Sequence, residues 1–448
     1  MVVYKADFSG GHITVPPSKS AAHRALLCAA LSGTKTKVFN IDRSKDMEAM
    51  LNALHALGVS AEYDEGTRCV SFGSGSPQPE SRQFQPGQSR LEREINCLES
   101  GNTLRFVTPV AAAFGGDWRF TGGGRLPERP MSVYQEVLPE HGVSYQVENP
   151  ETGKNLPLHL SGRLTPGIYR VPGNISSQFI TGFLFALPLL QGDSEIIVTS
   201  PLESKGYIDL TLSVLSDFGI RVTKTPTGWK VPGNQTYTAD DYTVEGDWSQ
   251  AAFFLSMAAL SIGGEKVYLH GLDKNSVQGD KACISCFEEF GLHTCWKGDV
   301  LTAWNPNGDK PFGGLHGTVI DASQINDLVP ALAVCGALSE GETRIVHAER
   351  LRLKESDRLA AMAEAINRLG GHAEETADGL VIQGVEHFQG GTAEGKNDHR
   401  VVMALAAGAL RSKGELTVTD EQSIQKTYPG FFEDFRKLGG IANVIHMG

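Results

Sequence analysis

The chain has 448 residues, of which 40% are hydrophobic and 21% are charged, and this composition excludes an intrinsically disordered protein. Its 52 acidic residues outnumber its 40 basic residues and give a net charge of −12, which argues against bulk binding of nucleic acid or anionic membranes. A small anionic substrate is not excluded, but the cations that bind it must be concentrated locally.

The chain contains seven scattered cysteines, an odd number, and residues 1–15 lack the pattern of a signal peptide. The most apolar run, Gly182–Leu190, is too short to span a bilayer and contains Pro188. We therefore expect reduced thiols, no membrane segment and a cytoplasmic protein.

An internal repeat organises the predicted elements. Six times, at intervals of about 75 residues, an Ala- and Leu-rich helix is followed by a β-rich run and then by an amphipathic helix. A glycine follows the first helix of each module, at Gly33, Gly116, Gly192, Gly264, Gly341 and Gly414. A second glycine closes the amphipathic helix, where we predict a positive φ; these closing glycines are Gly58, Gly142, Gly219, Gly291, Gly370 and Gly439. Six α/β modules divide naturally as three plus three.

Composition also indicates boundaries. The polar, glycine-containing segment Asp240–Asp247 follows the third module and predicts a domain boundary. The segment Ser74–Gln88 is rich in Pro, Gln, Gly and Ser, and we predict a surface loop inside the first domain.

The first motif with chemical potential is VPPSKSAAHRALL, which places Lys19, Ser20 and Arg24 in the first turns of a helix. A helix N-terminus offers free N–H groups and the positive end of a dipole, so it can bind an anion. A capped helix with solvated charges explains these residues equally well.

Four further motifs place hydroxyl, amide or cationic side chains at turns or helix starts. They are CLESGNTLRFVT with Arg105, LPERP with Arg129, GNISSQF with Ser176, Ser177 and Gln178, and SKGYID with Ser204 and Tyr207. Each signal is weak alone, because a turn with a serine cap is common. The second serine and the glutamine of GNISSQF favour an oxyanion site, since a cap needs only one hydroxyl.

The second half of the chain adds carboxylates to this pattern. Asp327 lies at the start of an Ala- and Leu-rich helix, either as a helix cap or as a carboxylate with a catalytic role. The run RLRLKESDR at 350–358 follows a predicted strand. A solvated helix face explains such a run, but crowded cations at a strand–helix junction fit better around an anion. Arg400 in NDHRVVM and Lys426 in SIQKTYP precede the last two helices.

Other chemistries lack support. No G-x-S-x-G motif supplies a hydrolase nucleophile, and the glycine run 122–124 lacks the context of a dinucleotide site. Cys283, Cys286, His293 and Cys295 are potential zinc ligands, but the repeat places the first two on one helix face, where we expect core cysteines and no metal.

The shared pattern is more informative than any single motif. Most modules carry Ser, Lys or Arg at a helix N-terminus, and parallel modules would bring these ends to one face. Two such faces across a cleft would make an electropositive site for a substrate with several negative charges.

Eight motifs occur in order over essentially the whole chain: PPSKSAAHRALLCAA, SGNTLRF, LPERPM, GNISSQF, SKGYIDLT, LRLKESDR, NDHRVVMA and QKTYPGFF. Together they resemble the 5-enolpyruvylshikimate-3-phosphate synthase family, the 3-phosphoshikimate 1-carboxyvinyltransferases. The resemblance implies an α/β fold of two pseudo-threefold domains, each built from three βαβαββ units around parallel central helices (an inside-out α/β barrel). It places the active site in the interdomain cleft. Residues 19–245 would form the shikimate 3-phosphate side, and residues 1–18 with 246–448 the phosphoenolpyruvate and proton-transfer side.

The implied reaction transfers the carboxyvinyl group of phosphoenolpyruvate to the 5-hydroxyl of shikimate 3-phosphate, in chorismate and aromatic amino-acid biosynthesis. The implied catalytic residues are Asp327, Glu355 and Lys19. Shikimate 3-phosphate would be held by Lys19, Ser20, Arg24, Ser176, Ser177, Gln178, Ser204, Tyr207, Asp327 and Lys354. Phosphoenolpyruvate would be held by Lys19, Gly101, Arg129, Gln178, Arg358, Arg400 and Lys426. The resemblance implies no cofactor and no metal, and we expect a monomer without a nucleic-acid or membrane partner.

The sequence departs from the family pattern in two places. Glu99, Gly101 and Asn102 lie where the family usually reads N-x-G-T, and Glu99 would weaken anion binding unless a cation pairs with it. Arg350 occupies a position where Asn is frequent. The alternative function is that of the sister carboxyvinyltransferase that acts on UDP-N-acetylglucosamine. That enzyme usually carries a catalytic Cys on a Gly-rich loop, and the stretch GGGRLPERP contains none.

Overall fold

The computed structural model describes residues 1–75, 93–238 and 240–445, so most of the predicted surface loop over 74–88 lies outside the described residues. The strands are β1 (Val2–Ala6), β2 (Gly11–Thr14), β3 (Thr36–Phe39), β4 (Ala61–Asp64), β5 (Cys69–Phe72), β6 (Arg93–Asn96), β7 (Gly116–Thr121), β8 (Val143–Val147), β9 (Leu158–Gly162), β10 (Ile168–Val171), β11 (Ser194–Val198), β12 (Thr223–Thr225), β13 (Gly228–Val231), β14 (Tyr242–Thr243), β15 (Val267–His270), β16 (His293–Lys297), β17 (Val300–Trp304), β18 (Val319–Asp321), β19 (Glu342–Val346), β20 (His372–Glu375), β21 (Leu380–Gln383), β22 (Gly391–Ala393), β23 (Leu416–Val418) and β24 (Gly440–Val444). The α-helices are α1 (Lys19–Ser32), α2 (Lys45–Ala56), α3 (Gly101–Phe114), α4 (Ser132–Glu140), α5 (Ser177–Ala186), α6 (Lys205–Asp217), α7 (Trp248–Leu260), α8 (Cys283–Phe290), α9 (Val329–Ala337), α10 (Arg358–Arg368), α11 (His399–Gly408) and α12 (Phe431–Lys437).

One sheet pattern recurs six times in the described chain. In the sheet β10-β11-β13-β12, the first two strands are parallel and the remaining pairs are antiparallel. The other sheets follow the same order: β14-β3-β5-β4, β6-β7-β9-β8, β2-β15-β17-β16, β18-β19-β21-β20 and β22-β23-β1-β24. In every sheet one α-helix precedes the second strand in the chain and another α-helix follows that strand. Each sheet therefore belongs to a βαβαββ module, which confirms the predicted fold class.

The chain forms two compact units. The insert unit comprises residues 19–244 and the host unit comprises residues 1–18 and 245–448. Each unit contains three modules and its own hydrophobic core. The chain leaves the host unit after β2 and returns just before α7, so the insert unit interrupts a host module between its first strand and its first helix.

The two helices of each module differ in burial. All residues of α7, α9 and α11 are buried, and nearly all residues of α1, α3 and α5. The second helix of each module buries only one face, as its amphipathic sequence predicts. Small residues allow the central helices to approach closely, since a Cβ on Gly182 of α5 would lie 2.4 Å from the backbone oxygen of Arg105 in α3.

The predicted positive-φ glycines are confirmed behind all six outer helices. Their φ angles range from 77° at Gly219 to 119° at Gly291. Of the glycines that follow the central helices, Gly192 and Gly414 have no positive φ. There α5 and α11 pass into 3₁₀ turns, and the chain is already extended at Leu190 and Ser412, so no left-handed residue is needed.

The cysteines near residue 290 lie where the repeat predicts. Cys283 is buried with its Sγ 3.8 Å from the backbone oxygen of Trp248, and Cys286 packs against the same core. Burial raises the pKa of the Cys283 thiol well above its usual value. Within the described residues, no group of three or more His, Cys, Asp and Glu side chains is arranged to hold a metal ion. No described helix combines the length and apolar character that crossing a membrane requires.

Candidate active site

The N-terminal ends of α7, α9 and α11 meet in the host unit, and Arg400 joins them. Its Nη2 donates to Ser249 Oγ at 2.9 Å in the first turn of α7 and lies 3.0 Å from Asp327 Oδ2. Its Nη1 donates to the backbone oxygen of Asp327 at 3.0 Å, just before α9. The predicted convergence of helix N-termini is therefore present in this unit.

Asp327 is surrounded by positive charge. Its Oδ1 lies 3.1 Å from Arg358 Nη1 and 3.6 Å from Lys354 Nζ, and its Oδ2 contacts Arg400. Burial opposes ionisation of this carboxyl, but the three cations outweigh it and hold the pKa of Asp327 well below its usual range. Asp327 does not cap α9, because Leu328 is the N-cap of that helix. Asp327 is therefore a carboxylate that stays ionised at neutral pH and can accept a proton.

Arg358, the first residue of α10, fixes the geometry of three carboxylates. Its Nη1 contacts Asp327, its Nη2 lies 2.8 Å from Glu355 Oε2, and its Nε lies 2.8 Å from Asp398 Oδ2. Its side chain is 1% exposed, so these bonds form out of water. Burial lowers the pKa of Arg358, but the three carboxylates outweigh burial and raise it.

Asp398 is the fully buried carboxylate of this network. Its side chain accepts from the backbone N–H of Arg400 as the N-cap of α11, and accepts from Ser356 Oγ at 2.9 Å. Burial opposes its ionisation, but Arg358 contributes most to a lowered pKa.

The charged run at 350–358 is not one solvated helix face. A 3₁₀ turn covers Glu349–Leu353, Lys354 is extended, and α10 begins only at Arg358. Burial lowers the pKa of Lys354 to about 8; Asp327 opposes this shift and Arg358 reinforces it. At neutral pH Lys354 is thus a cation whose proton is easily lost.

Besides the Arg358, Arg400 and Lys354 that surround Asp327, the host unit contains the buried cations Lys426 and Arg350. Lys426 is 5% exposed and its Nζ donates to the backbone oxygen of Asn397 at 2.7 Å, just before α11. Arg350 is 9% exposed and donates to the backbone oxygen of Ser323 at 2.8 Å. Both backbone contacts hold the cations near the helix ends that carry the carboxylates.

In the insert unit, the N-terminal ends of α1, α3 and α5 also meet. Gln178 at the start of α5 accepts from Arg105 Nη1 and donates to Asn102 Oδ1, both on α3. His23 on α1 has its Nε2 3.5 Å from Ser100 Oγ, the N-cap of α3. Burial lowers the pKa of His23 to about 4, so this imidazole is neutral at pH 7.

Gly101 and Arg129 lie in close contact. A Cβ on Gly101 would be 2.5 Å from Arg129 Nη1, so only glycine leaves the guanidinium in place. Glu99 packs against the neighbouring glycine run, where a Cβ on Gly124 would lie 2.5 Å from its Oε2. Gly124 therefore leaves space for the Glu99 carboxylate, and the effect of Glu99 on anion binding stays a prediction.

Lys19 and Arg24 have different surroundings on α1. Lys19 Nζ pairs with Asp46 Oδ2 at 3.0 Å, and both side chains keep some exposure. Arg24 is 2% exposed, and all three of its guanidinium nitrogens donate to protein oxygens on Ser20, Tyr207 and Thr211. Burial lowers the pKa of Arg24 to about 10. In this structure Arg24 fastens α1 to α6, and its contact with substrate stays a prediction.

The remaining predicted residues begin α5 and α6. Ser176 is the N-cap of α5 and accepts from the N–H of Gln178 at 3.3 Å, so the cap uses one hydroxyl and Ser177 is additional. Ser204 precedes α6 with a left-handed φ of 51°, and the backbone N–H of Tyr207 donates to its oxygen.

Sequence reasoning missed several partners of the site residues: Asp46, Asn102, Thr211, Ser249 and Asp398. Asp398 had a signal, since a short polar residue directly before an apolar helix predicts an N-cap. Asp46 had none, because a carboxylate in the first turn of an amphipathic helix is ordinary.

Comparison with known proteins agrees with this geometry. Residues 5–435 match the family model described as EPSP synthase (3-phosphoshikimate 1-carboxyvinyltransferase). The chain belongs to the EPSP synthase family. It is 41% identical to the 3-phosphoshikimate 1-carboxyvinyltransferases of Clostridium perfringens, over 96% of both chains, and of Clostridioides difficile, over 100% of this chain and 99% of the relative.

Solved structures show the same fold. The EPSP synthase of Acinetobacter baumannii superposes with a TM-score of 0.78 at 25% identity, over 99% of this chain and 100% of the other. The enolpyruvyl transferase NikO of Streptomyces tendae also reaches 0.78, at 18% identity, over 99% of this chain and 98% of the other. The fold therefore extends to an enolpyruvyl transferase of low sequence identity.

Proposed function

We propose that this chain transfers the carboxyvinyl group of phosphoenolpyruvate to the 5-hydroxyl of shikimate 3-phosphate and releases phosphate. Family membership supports the reaction class. The observation that carries the proposal is Asp327, an ionised carboxylate held by Arg358, Arg400 and Lys354 in one basic cluster.

The addition step needs one proton removed and one delivered, and the elimination step needs a second proton removed. The 5-hydroxyl oxygen attacks C2 of phosphoenolpyruvate and loses its proton, while the methylene carbon gains one and becomes a methyl group. Phosphate then leaves the tetrahedral intermediate, and the methyl group gives up a proton to restore the double bond. Asp327 and Glu355, both bound to Arg358, supply carboxylates for these transfers.

The basic residues neutralise charge. Arg358, Arg400 and Lys426 of the host unit, with Lys19 and Arg129 of the insert unit, are assigned to the phosphate and carboxylate of phosphoenolpyruvate. Guanidinium groups bind such oxyanions in bidentate fashion, and charge compensation eases departure of phosphate from the intermediate. Gly101 contributes by leaving room for Arg129.

Shikimate 3-phosphate is assigned mainly to the insert unit. Hydroxyl, amide and cationic groups at the starts of α1, α5 and α6 suit a phosphate and several hydroxyls: Lys19, Ser20, Arg24, Ser176, Ser177, Gln178, Ser204 and Tyr207. Asp327 and Lys354 complete the set from the host unit. This division assigns residues 19–245 to shikimate 3-phosphate, and residues 1–18 with 246–448 to phosphoenolpyruvate and proton transfer.

We also propose a cytoplasmic monomer. All seven cysteines are free thiols, which suits a reducing compartment. Size-exclusion chromatography with light scattering measures the assembly directly.

Phosphate release by the purified protein tests the reaction. We expect release only when phosphoenolpyruvate and shikimate 3-phosphate are both present, and loss of release in Asp327→Ala. An assay with UDP-N-acetylglucosamine in place of shikimate 3-phosphate tests the alternative function. Release with that nucleotide sugar, or release with neither alcohol acceptor, would contradict the proposal.

A further inference from the structure

Two short segments carry the chain out of the host unit and back. Residues 15–18 lead from β2 to α1, and residues 245–247 return to α7. They pair as an antiparallel ribbon, in which Ser18 N donates to the oxygen of Glu245 and Asp247 N donates to the oxygen of Pro16, both at 2.8 Å. The ribbon therefore sets the register of the outgoing segment against the returning one.

One buried side chain from elsewhere in the host unit binds both segments. Gln278 lies just before α8 and is 6% exposed. Its Oε1 accepts from Ser18 Oγ at 3.0 Å and from the backbone N–H of Trp248 at 3.3 Å. Its Nε2 donates to the backbone oxygen of Gly246 at 2.9 Å. The amide thus bonds the outgoing segment once, the returning segment once and the first residue of α7 once.

Each segment leads directly to a proposed site residue. Ser18 is followed by Lys19, whose Nζ pairs with Asp46. On the returning segment, Asp247 caps α7 and accepts from Ser249 Oγ at 2.6 Å. Ser249 Oγ in turn accepts from Arg400, which contacts Asp327. The two routes from Gln278 therefore end at a cation of the insert unit and at the carboxylate of the host unit.

We infer that Gln278 is a positioning residue, which holds the backbone that supports Lys19 on one side and the Ser249–Arg400–Asp327 contacts on the other. The effect of Gln278 on kcat rests on the proposed function, whereas its effect on how firmly Lys19 is held does not. The amide is suited to the role because only a group with both a donor and an acceptor can serve all three partners. An apolar substitute would leave the hydroxyl of Ser18 and the N–H of Trp248 without this acceptor.

Replacement by leucine tests the inference, with Gln235→Leu as a matched control. Gln235 also makes three amide bonds to backbone, to Arg221 and Pro232, far along the chain from the proposed site residues. We expect Gln278→Leu to lower kcat by about 10- to 100-fold, because small misplacements of reacting groups cost this much. Gln235→Leu should leave kcat within about twofold.

A second readout does not depend on the reaction. The rate at which an amine-reactive reagent acylates Lys19, measured by peptide mass spectrometry, reports how firmly its ion pair with Asp46 is held. We expect faster acylation in Gln278→Leu and no change in Gln235→Leu. If the wild-type protein releases no phosphate from the two substrates, the proposed function fails, while faster Lys19 acylation still supports Gln278.

Unchanged kcat and unchanged acylation in folded Gln278→Leu would overturn the inference. If that variant does not fold, Ser18→Ala removes one hydroxyl and only the outgoing bond. It should speed acylation of Lys19, and an unchanged rate there would overturn the inference in the same way.

Discussion

Asp327 and Lys354 are near neighbours with opposite charges, and their environments move both pKa values downward. The carboxyl is held ionised by three cations, while the amine is destabilised as a cation by burial. The pair is therefore an ionised carboxylate of low basicity beside an ammonium group whose pKa lies close to neutral pH. This separation of roles is a physical basis for transferring protons in both directions.

Asp327→Asn tests the base. The substitution keeps the size of the side chain and removes its charge, so we expect kcat to fall by about 10²- to 10⁴-fold. Circular dichroism and thermal unfolding check that the variant folds. A variant that folds and retains more than a tenth of the wild-type kcat would contradict the assignment.

The lowered pKa of Lys354 predicts that kcat/KM declines on the alkaline side of its pH profile. This pKa of about 8 means that the cation is lost as pH rises through 8, so kcat/KM should decline there if the charge binds an anionic substrate. Lys354→Arg retains its charge to much higher pH, so its profile should lack the decline near pH 8. A decline that persists unchanged in Lys354→Arg would assign the limb to another group.

Individual residues show where sequence reasoning succeeded and failed. The motif around Asp327 predicted a carboxylate at a helix start, and the structure places it there without a capping role. The partners that tune it lie up to 73 positions away in the chain, as Arg400 does, and no local pattern indicates such a contact. Whether the predicted residues bind the two substrates is a matter for the kinetic tests.

The starts of the helices are where this molecule concentrates its polar groups. In α11, the cap Asp398 also serves Arg358, so one buried carboxylate stabilises a helix end and a guanidinium. The same element thus contributes to stability and to the geometry of the site.

Asp398→Asn should lower the free energy of unfolding by up to about 3–5 kcal/mol, because it removes the fully buried one of the three carboxylates that compensate the buried charge of Arg358. Glu364→Gln, at an exposed pair with Arg368, should cost less than about 1 kcal/mol. Denaturant unfolding measures both. The pKa of Asp398 is lowered on folding, so its contribution is present above about pH 4 and is lost as pH falls through the folded pKa. Equal losses in the two variants would refute the buried role.

Gly101 at the start of α3 predicts a change in substrate affinity. In Gly101→Ala, the new methyl group must displace the guanidinium of Arg129, which is the flexible end of a long side chain. We therefore expect the KM for phosphoenolpyruvate to rise about tenfold or more, with little loss of thermal stability. Gly123→Ala is the control, since its Cβ would meet nothing within 4 Å. Equal KM values in the two variants would argue against a role for Arg129.

Helix periodicity and closing glycines were predictable because they depend on neighbours within one or two turns. The ends of the central helices before Gly192 and Gly414 were not predictable, since these helices pass into 3₁₀ turns that the apolar pattern does not distinguish from α-helix. The sheet order was predictable only through the family resemblance, since strand pairing joins segments distant in sequence.

At the scale of the whole molecule, the six modules do not follow one another simply along the chain, because the insert unit lies inside a host module. The first insert module obtains its parallel edge strand, β14, from the far end of the unit, where Tyr242 pairs with Val38. The last host module obtains its third strand, β1, from the start of the chain. Every sheet is nevertheless complete within one unit.

A fragment of residues 19–244 should therefore fold alone. It contains its own core and all strands of its three sheets, so we expect one cooperative unfolding transition by calorimetry. A fragment of residues 19–238 lacks β14 and exposes the edge of β3, so its Tm should be lower. Failure of the longer fragment to fold would show that the host unit is needed.

The position of β1 bears on how the protein is made. Among the strands described, β1 is synthesised before all others, yet its neighbours β23 and β24 are synthesised after all others. The insert unit has all its strands by residue 243 and can form its sheets during translation. Until β23 and β24 are synthesised, both edges of β1 stay unpaired. A message truncated between residues 245 and 440 therefore yields a polypeptide with a finished insert unit and an open host sheet, which is a substrate for chaperones and proteases.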